Sequence, residues 1–322
     1  MKILQIILIF WLATVYNAAA QPFAFISDSQ EPMKIETIVL KTERNVEATD
    51  KLLADLSQTK HRAVFFLGDI VATGSNNKSW KRIDRFLTNM KKAHTPVYAT
   101  YGNHEYMKNR LAGEKNFTQR FPNSSNTGFI VVRDSVAVVL FNSNFSKLSK
   151  EMQQAQHQWY ERSLDSLNLS ENIKFIIVCC HHAPYTNSNV VSPEKTVQEL
   201  YVPAYVNTPK AALFLSGHSH HLEYFDIYRK KFLVIGGGGG LWQNFKKENR
   251  RDFSDLLDEN KKPRYFYLQI NRTGNQLQVS ARGFTMEQFG EFENYPIVSI
   301  PFATSLPHHL PFPFTNAKNV KN

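Results

Sequence analysis

Five short polar segments of this sequence carry the residue types best suited to metal chemistry. Each segment follows an apolar run, and together they supply carboxylate, amide and imidazole groups. The segments are Asp28-Ser29-Gln30, Gly68-Asp69, Gly102-Asn103-His104-Glu105, His181-His182 and Gly217-His218-Ser219-His220-His221. Because oxygen and imidazole ligands together suit transition metals, the set predicts two adjacent divalent ions.

The elements that must position these segments alternate between strands and helices. Short apolar runs that end in polar or glycine residues are typical of strands buried on both faces. They occupy residues 23–27, 63–67, 97–101, 136–142, 175–180, 212–216 and 231–235. Each of the five polar segments follows one of these runs, and loops of an open α/β sheet converge beyond the carboxyl ends of its strands. One crevice could therefore hold all five segments.

Amphipathic stretches with the period of a helix lie between several of the runs. They cover residues 45–58, 80–90 and 152–167. Near the C-terminus, residues 265–270 and 277–283 flank Gly274 and predict a β-hairpin. The order indicates an α/β layered domain with antiparallel additions at its end.

Taken singly, each polar segment is a weak signal. An aspartate after a strand is often a helix cap, and a lone histidine is more often a core or surface residue than a ligand. The five segments in this order are far more specific, because unrelated structural needs would not place these residue types at successive strand ends.

The ordered series resembles the motifs of the calcineurin-like metallophosphoesterases. That family usually carries Asp-x-His, Gly-Asp, Gly-Asn-His-Asp/Glu, an isolated histidine after a strand, and Gly-His-x-His. Four of these five motifs are intact between Asp28 and His220. The resemblance implies an α/β two-sheet sandwich flanked by helices, to which the C-terminal β-hairpin is added. It also implies a phosphate-ester substrate and two divalent metal ions, which could be Mn, Fe, Zn or Ni.

The resemblance further implies a role for each site residue. Asp69 would bridge the two ions. Asp28 and His220 would bind the first ion, and Asn103, His181 and His218 would bind the second. A hydroxide activated by both ions would attack the phosphorus, while His104 would protonate the leaving group as a general acid.

Gln30 is the main departure from the family pattern, which has histidine at that position. A glutamine oxygen can coordinate a metal, but it is a weaker donor than imidazole for transition metals. Gln30 is thus expected to be a weak ligand of the first ion. A second departure is Ala72, which stands where purple acid phosphatases have a tyrosine ligand, so the chain is expected to resemble the superfamily without being a purple enzyme.

Three other features of the sequence each allow more than one interpretation. The spacing to Tyr185 favours His181 over its neighbour His182 as the ligand, and His182 would then point the other way, as alternate residues of a strand do. Glu105 either orients the His104 ring or helps to hold the loop, or it simply lies in the first turn of a helix, where the positive end of the helix dipole favours a carboxylate. The five glycines at 236–240 form either a phosphate cradle or, as the missing Lys-Ser/Thr ending favours, a turn that brings backbone close to the metal loops.

The N-terminal residues 1–20 read as a cleaved signal peptide. Lys2 precedes an apolar run at 3–15, and Ala18-Ala19-Ala20 matches a cleavage site. The apolar run is shorter than the ~20 residues of a spanning helix. We therefore expect a secreted or periplasmic protein with no membrane span after cleavage. The phosphoesterase domain is predicted at 21–300, followed by a proline-rich tail at 301–322.

The net charge of +10 favours anionic partners. Its basic residues are scattered along the chain, which argues against a specific nucleic-acid partner. The sequence thus predicts an exported, metal-dependent hydrolase of a phosphomonoester or phosphodiester. The alternative is a non-catalytic or weakly active metal-binding member of the same fold that acts as a binding protein.

Overall fold

A computed structural model describes residues 21–33, 35–38 and 42–303. The predicted signal peptide and residues 304–322 of the predicted tail lie outside the described residues, so both stay predictions, as does the domain boundary at 300. Within the described ranges, every helix falls short of the length and apolar character needed to cross a bilayer.

Two six-stranded mixed sheets form the centre of the fold. The strands are β1 (Phe23–Ile26), β2 (Ala63–Phe66), β3 (Val97–Ala99), β4 (Gly128–Arg133), β5 (Val136–Phe141), β6 (Phe175–Cys179), β7 (Ala211–Ser216), β8 (Leu222–Ile227), β9 (Lys230–Ile235), β10 (Tyr265–Thr273), β11 (Gln276–Phe284) and β12 (Glu293–Pro301). The first sheet has the order β12-β11-β10-β1-β2-β3, and the second has the order β4-β5-β6-β7-β9-β8.

Five α-helices flank the sheets. They are α1 (Asn45–Gln58), α2 (Lys81–Lys92), α3 (Arg110–Arg120), α4 (Lys150–Leu169) and α5 (Val202–Asn207). Helices α1 to α3 pack on the outer face of the first sheet, whereas α4 and α5 pack on the outer face of the second. The predicted α/β sandwich flanked by helices is confirmed.

The hydrophobic core lies between the two sheets and continues beneath the helices. Phe25 of β1 and Leu213 of β7 belong to the cluster between the sheets. Ile26, the next residue of β1, packs instead against the helices. This alternation explains why the strands read as continuous apolar runs, because both faces of each sheet are covered.

The parallel strands are the elements that position the site. Strands β1, β2 and β3 run parallel in the first sheet, and β5, β6, β7 and β9 run parallel in the second. All seven were anticipated from the sequence. The predicted hairpin forms from β10 and β11, and β12 extends it as an edge strand.

Candidate metal centre

The predicted ligands lie just beyond the carboxyl ends of parallel strands from both sheets. Asp28, Asp69 and Asn103 follow β1, β2 and β3 of the first sheet. In the second sheet, His181 follows β6 and His218 follows β7. Loops of the two sheets therefore meet at one end of the sandwich, as expected for a site in an α/β fold.

Four of the predicted ligands have a backbone conformation with positive φ. The φ angles are +60° at Asp28, +49° at Asp69, +70° at His218 and +46° at His220. A non-glycine residue in this left-handed region is uncommon and costs on the order of 1–3 kcal/mol. Such residues are often found at functional sites, which agrees with the prediction that these four side chains are ligands.

The two carboxylates and His181 form the centre of the cluster. Asp28, Asp69 and His181 each offer a ligand atom within 4.8 Å of the others, and all three are buried. Nε2 of His181 lies 3.3 Å from Oδ2 of Asp69. Burial alone would raise the pKa of Asp69, but the charges of His181 and His104 outweigh it and hold that pKa well below its usual range. Burial would raise the pKa of Asp28 too, but its hydrogen bond with His220 and the charge of His181 lower it. Two ionised carboxylates are thus available to a cation.

Main-chain carbonyls orient two of the histidines. Nδ1 of His181 lies 2.9 Å from the carbonyl oxygen of Leu67. Nδ1 of His220 likewise contacts the carbonyl oxygen of Leu241, and its Nε2 lies 3.4 Å from Oδ1 of Asp28. A histidine ligand commonly donates its other ring N–H to such an acceptor, which fixes the tautomer. Both rings therefore present Nε2 to the carboxylates.

Asn103 and His218 complete the predicted second-ion set. Oδ1 of Asn103 lies 3.1 Å from Nε2 of His181. The ring centroid of His218 lies 5.0 Å from that of His181, and the main-chain N–H of His218 donates to Oδ2 of Asp28 at 2.9 Å. Burial and the charges of His182 and His181 hold the pKa of His218 well below its usual range, so its ring is neutral, as ligation requires.

Gln30 lies among the predicted ligands of the first ion. In the orientation that satisfies its neighbours, its amide nitrogen donates to the carbonyl oxygens of Asp69 and Asp28, at 2.9 and 3.2 Å. Its oxygen then lies 3.2 Å from Nε2 of His220. Burial lowers the pKa of His220, but the hydrogen bond and charge of Asp28 outweigh it and raise that pKa. A protonated Nε2 of His220 can therefore donate a hydrogen bond to the Gln30 oxygen. A metal cation could replace this proton between the two atoms.

His104 lies at the edge of the carboxylate cluster. Its Nδ1 lies 3.0 Å from the carbonyl oxygen of Ala72, and its Nε2 lies 3.7 Å from Oδ2 of Asp69. Its main-chain N–H also donates to Oδ1 of Asp69 at 2.8 Å. Nε2 of His104 thus faces the site beside the proposed bridge, which is where a general acid is needed.

Glu105 supports the loops that carry Asp69 and Asn103, so the loop-holding interpretation is correct. Its carboxylate accepts the N–H groups of Asp69 at 2.9 Å, Ile70 at 2.8 Å and Gly102 at 2.7 Å. Burial and the charge of Asp69 raise its pKa to about 7, against the effect of these hydrogen bonds. The side chain is fully buried, so it acts by positioning the loops.

Glu105→Gln should lower the free energy of unfolding by about 1–3 kcal/mol, because the amide retains one acceptor oxygen and turns a donor towards a buried N–H group. Urea unfolding of the apoprotein measures this difference. Glu114→Gln, a change in the ion pair with Arg110 at the surface, is the control and should change stability far less. Equal stability of both variants would contradict the positioning role of Glu105.

His182 does not point away from the site, so that expectation was wrong. Its ring centroid lies 4.9 Å from that of His181 and 4.5 Å from that of His218. The reason is that β6 ends at Cys179. Strict alternation of side chains therefore no longer applies at His181 and His182.

The five glycines bring backbone close to the metal loops, as the favoured interpretation held. The N–H groups of Gly238 and Gly240 donate to the carbonyl oxygens of Ser27 and Asp28, at 3.0 and 2.7 Å. A Cβ atom at Gly240 would lie 2.7 Å from the ring of His220. Only glycine fits this approach.

The segment after the glycines contains site residues that the sequence did not reveal. The carbonyl of Leu241 orients His220, and the carbonyl of Gln243 accepts a hydrogen bond from His221. The side chain of Gln243 also donates to the carbonyl oxygen of His218 at 3.2 Å. The only sequence signal for this support was the adjacent glycine run.

Comparisons with known proteins agree with this geometry. A family model described as calcineurin-like phosphoesterase matches residues 21–222. The chain therefore belongs to the calcineurin-like phosphoesterase family. This membership and the clustered ligand groups together suggest the use of divalent metal.

Several solved structures share the fold at low sequence identity. A purple acid phosphatase from yellow lupin seeds is 14% identical with a TM-score of 0.62, over 88% of this chain and 54% of that one. GAP50, an anchor in the inner membrane complex of Plasmodium, is 12% identical with a TM-score of 0.60, over 88% and 89%. A dimetal phosphatase from Danio rerio is 12% identical with a TM-score of 0.56, over 88% and 100%. This chain thus spans about half of the lupin phosphatase.

Proposed function

We propose that the protein uses two divalent metal ions to hydrolyse a phosphate ester. The observation that carries this proposal is the buried group formed by Asp28, Asp69 and His181, whose ligand atoms lie within 4.8 Å of one another. Asn103 and His220 extend the group on either side. A buried, ionised cluster of this kind would be costly without a bound cation.

Each residue of the centre has a defined task in this proposal. Asp69 would contact both ions, while Asp28, Gln30 and His220 would hold the first, and Asn103, His181 and His218 would hold the second. The ions would activate the attacking water and neutralise charge on the phosphate. The main tasks of the protein are to fix the ligands and to move a proton. Glu105 and Gln243 keep the ligand loops in place through their hydrogen bonds.

His104 delivers the proton to the leaving oxygen. Its Nδ1–H is held by the carbonyl of Ala72, so Nε2 is the nitrogen that can carry the transferred proton. Asp69 and Glu36 lie 3.7 and 3.9 Å from this nitrogen. Both carboxylates therefore lie on the side of the ring from which the proton would leave.

Hydrolysis is tested with the purified protein. The enzyme is incubated with Mn²⁺ or Zn²⁺ and with p-nitrophenyl phosphate or bis(p-nitrophenyl) phosphate, and release of p-nitrophenol is followed. Release that a chelator abolishes and added metal restores is the expected result. Comparison of the two substrates decides between phosphomonoester and phosphodiester. The absence of release under every metal would reject the enzymatic function.

Gln30 offers a second test of the first-ion site. Gln30→His should lower the Zn²⁺ concentration needed for activity, because imidazole is a better donor than an amide for this metal. Gln30→Ala should raise it by about tenfold or more, since even indirect partners of a metal are worth 10–100-fold. Metal titrations of activity measure both effects. Gln288→Ala, at an exposed glutamine, is the control, and equal titrations for all variants would exclude Gln30 as a ligand.

A binding protein of the same fold is the second candidate function. Gln30 favours it, because replacement of the usual histidine weakens the first site. GAP50 shows that a protein of this fold can serve as an anchor. Metal binding without hydrolysis of any phosphoester would select this alternative.

Export is part of the proposal because of the N-terminal sequence. Residues 1–20 have the charged start, apolar run and small-residue end of a signal peptide. N-terminal sequencing of the protein from its native host tests this, and a mature protein that starts at Gln21 is the expected result.

A further inference from the structure

His182 has no role in the motif-based ligand set, yet its ring lies beside two members of that set. His181, His182 and His218 each offer a ring nitrogen within 4.8 Å of the others. Their ring centroids are 4.5 to 5.0 Å apart. Three imidazoles grouped in this way resemble the ligand sets of zinc sites.

Ser143 fixes the position of the His182 ring. The hydroxyl of Ser143, two residues beyond the end of β5, lies 2.8 Å from Nδ1 of His182. The same oxygen accepts the main-chain N–H of His182 at 2.9 Å. Nδ1 is therefore occupied, and Nε2 is the ring nitrogen that remains for a ligand. Ser143 is itself buried, so its hydroxyl provides a rigid support.

The histidine group is also accessible. His181 is buried, whereas His182 and His218 are half-buried. The group is thus buried at His181 and partly exposed at His182 and His218. An ion can reach a site of this shape from solvent, which a usable metal site requires.

We propose that His182 is a further ligand of the second metal ion and binds it through Nε2 beside His181 and His218. This inference rests on the proposed function, which assigns the second ion to that place. A third imidazole changes the chemistry of the site, because imidazole suits Zn²⁺ and Ni²⁺ whereas carboxylates and carbonyls suit Mn²⁺. His182 therefore biases the second site towards Zn²⁺ or Ni²⁺.

Two substitutions distinguish the roles of the two ring nitrogens of His182. His182→Asn keeps a polar atom near the Nδ1 position, where Ser143 binds, and has no atom at the Nε2 position. His182→Gln places an amide group near the Nε2 position instead. The affinity of each apoprotein for Zn²⁺ and for Mn²⁺ is measured by calorimetry without substrate, so the result does not depend on turnover.

His182→Asn should weaken Zn²⁺ binding at one site by about tenfold or more, since residues that merely orient a ligand already contribute 10–100-fold. His182→Gln should lose less, and Mn²⁺ affinity should change less in both variants. His157→Gln, on helix α4 with its ring against the carbonyl of Leu200, is the matched control and should bind Zn²⁺ like the wild type.

The outcomes distinguish this inference from the proposed function. If wild-type protein binds metal and His182→Asn binds Zn²⁺ equally well, His182 is not a ligand. If the wild type binds neither metal, the proposed function fails as well. Thermal unfolding of each apoprotein checks the fold. If His182→Asn does not fold, Ser143→Ala tests the same ligand, because it removes the hydroxyl that holds the His182 ring. Unchanged Zn²⁺ affinity in that variant would overturn the inference.

Discussion

Asp69→Asn should yield a folded protein that has lost both bound metal and hydrolytic activity. Asp69 is the proposed bridge, so it contributes negative charge to both ions at once. The amide oxygen of asparagine can still accept the N–H of His104, which keeps the loop in place. It supplies no charge, however. We expect metal affinity to fall more than about 100-fold, beyond the range typical of residues that only orient ligands.

Elemental analysis and hydrolysis assays on the same preparation test the Asp69 prediction. Asp165→Asn, at an exposed position of helix α4, is the control for loss of one carboxylate and should behave like the wild type. Asp69→Asn protein that retains a full complement of metal would remove Asp69 from the bridge. Retained activity at reduced metal content would instead show that one ion suffices.

His104→Ala should retain metal and lose about 10² to 10⁴-fold in turnover, the usual contribution of a general acid. The loss should depend on the substrate. A p-nitrophenolate leaving group is stable without protonation, whereas an alkoxide is not. The kcat ratio of wild type to variant should thus be much larger for an alkyl ester than for a p-nitrophenyl ester.

The His104 prediction is checked by kcat for both esters and by metal content. His94→Asn provides a control at an exposed histidine, and asparagine tolerates its φ of +54°. Equal losses on both esters would contradict the general-acid role. Loss of metal from the variant would make His104 a ligand instead.

Much of the fold followed from apolar periodicity. The residues of α1 matched the prediction of 45–58, because Leu52, Leu53 and Leu56 mark a clear buried face. Helix α3 was missed because its buried face consists only of Gly113, Asn116 and Phe117. Too little apolar surface then distinguishes it from a polar loop.

Strands β4, β8 and β12 were also missed, for related reasons. Most of β4 and β12 is exposed to some degree, so neither reads as a buried run. β8 contains the buried Glu223, whose carboxylate accepts hydrogen bonds from Thr186 and Asn187. A buried carboxylate interrupts the apolar pattern even though its hydrogen bonds are satisfied.

The clustering of the predicted ligands was easier to anticipate from the sequence than the contacts that support them. Ligand types at strand ends identified Asp28, Asp69 and His181 as neighbours, and the structure brings them together. The direction of His182 could not be read from the sequence, since it depends on where β6 ends. The contacts of Gln243 depend on a distant loop that folds back onto the histidines, and a single sequence carries no periodic signal for such an encounter.

The division of the ligands between the two sheets has a thermodynamic consequence. Asp28 and His218 lie 190 residues apart in sequence and come from opposite sheets. Ions held between them would act as a reversible cross-link that closes a long chain loop, much as a disulfide does. The only two cysteines of the described residues, Cys179 and Cys180, are buried as free thiols. Free metal in the surroundings would then set how firmly the two halves of the sandwich stay together.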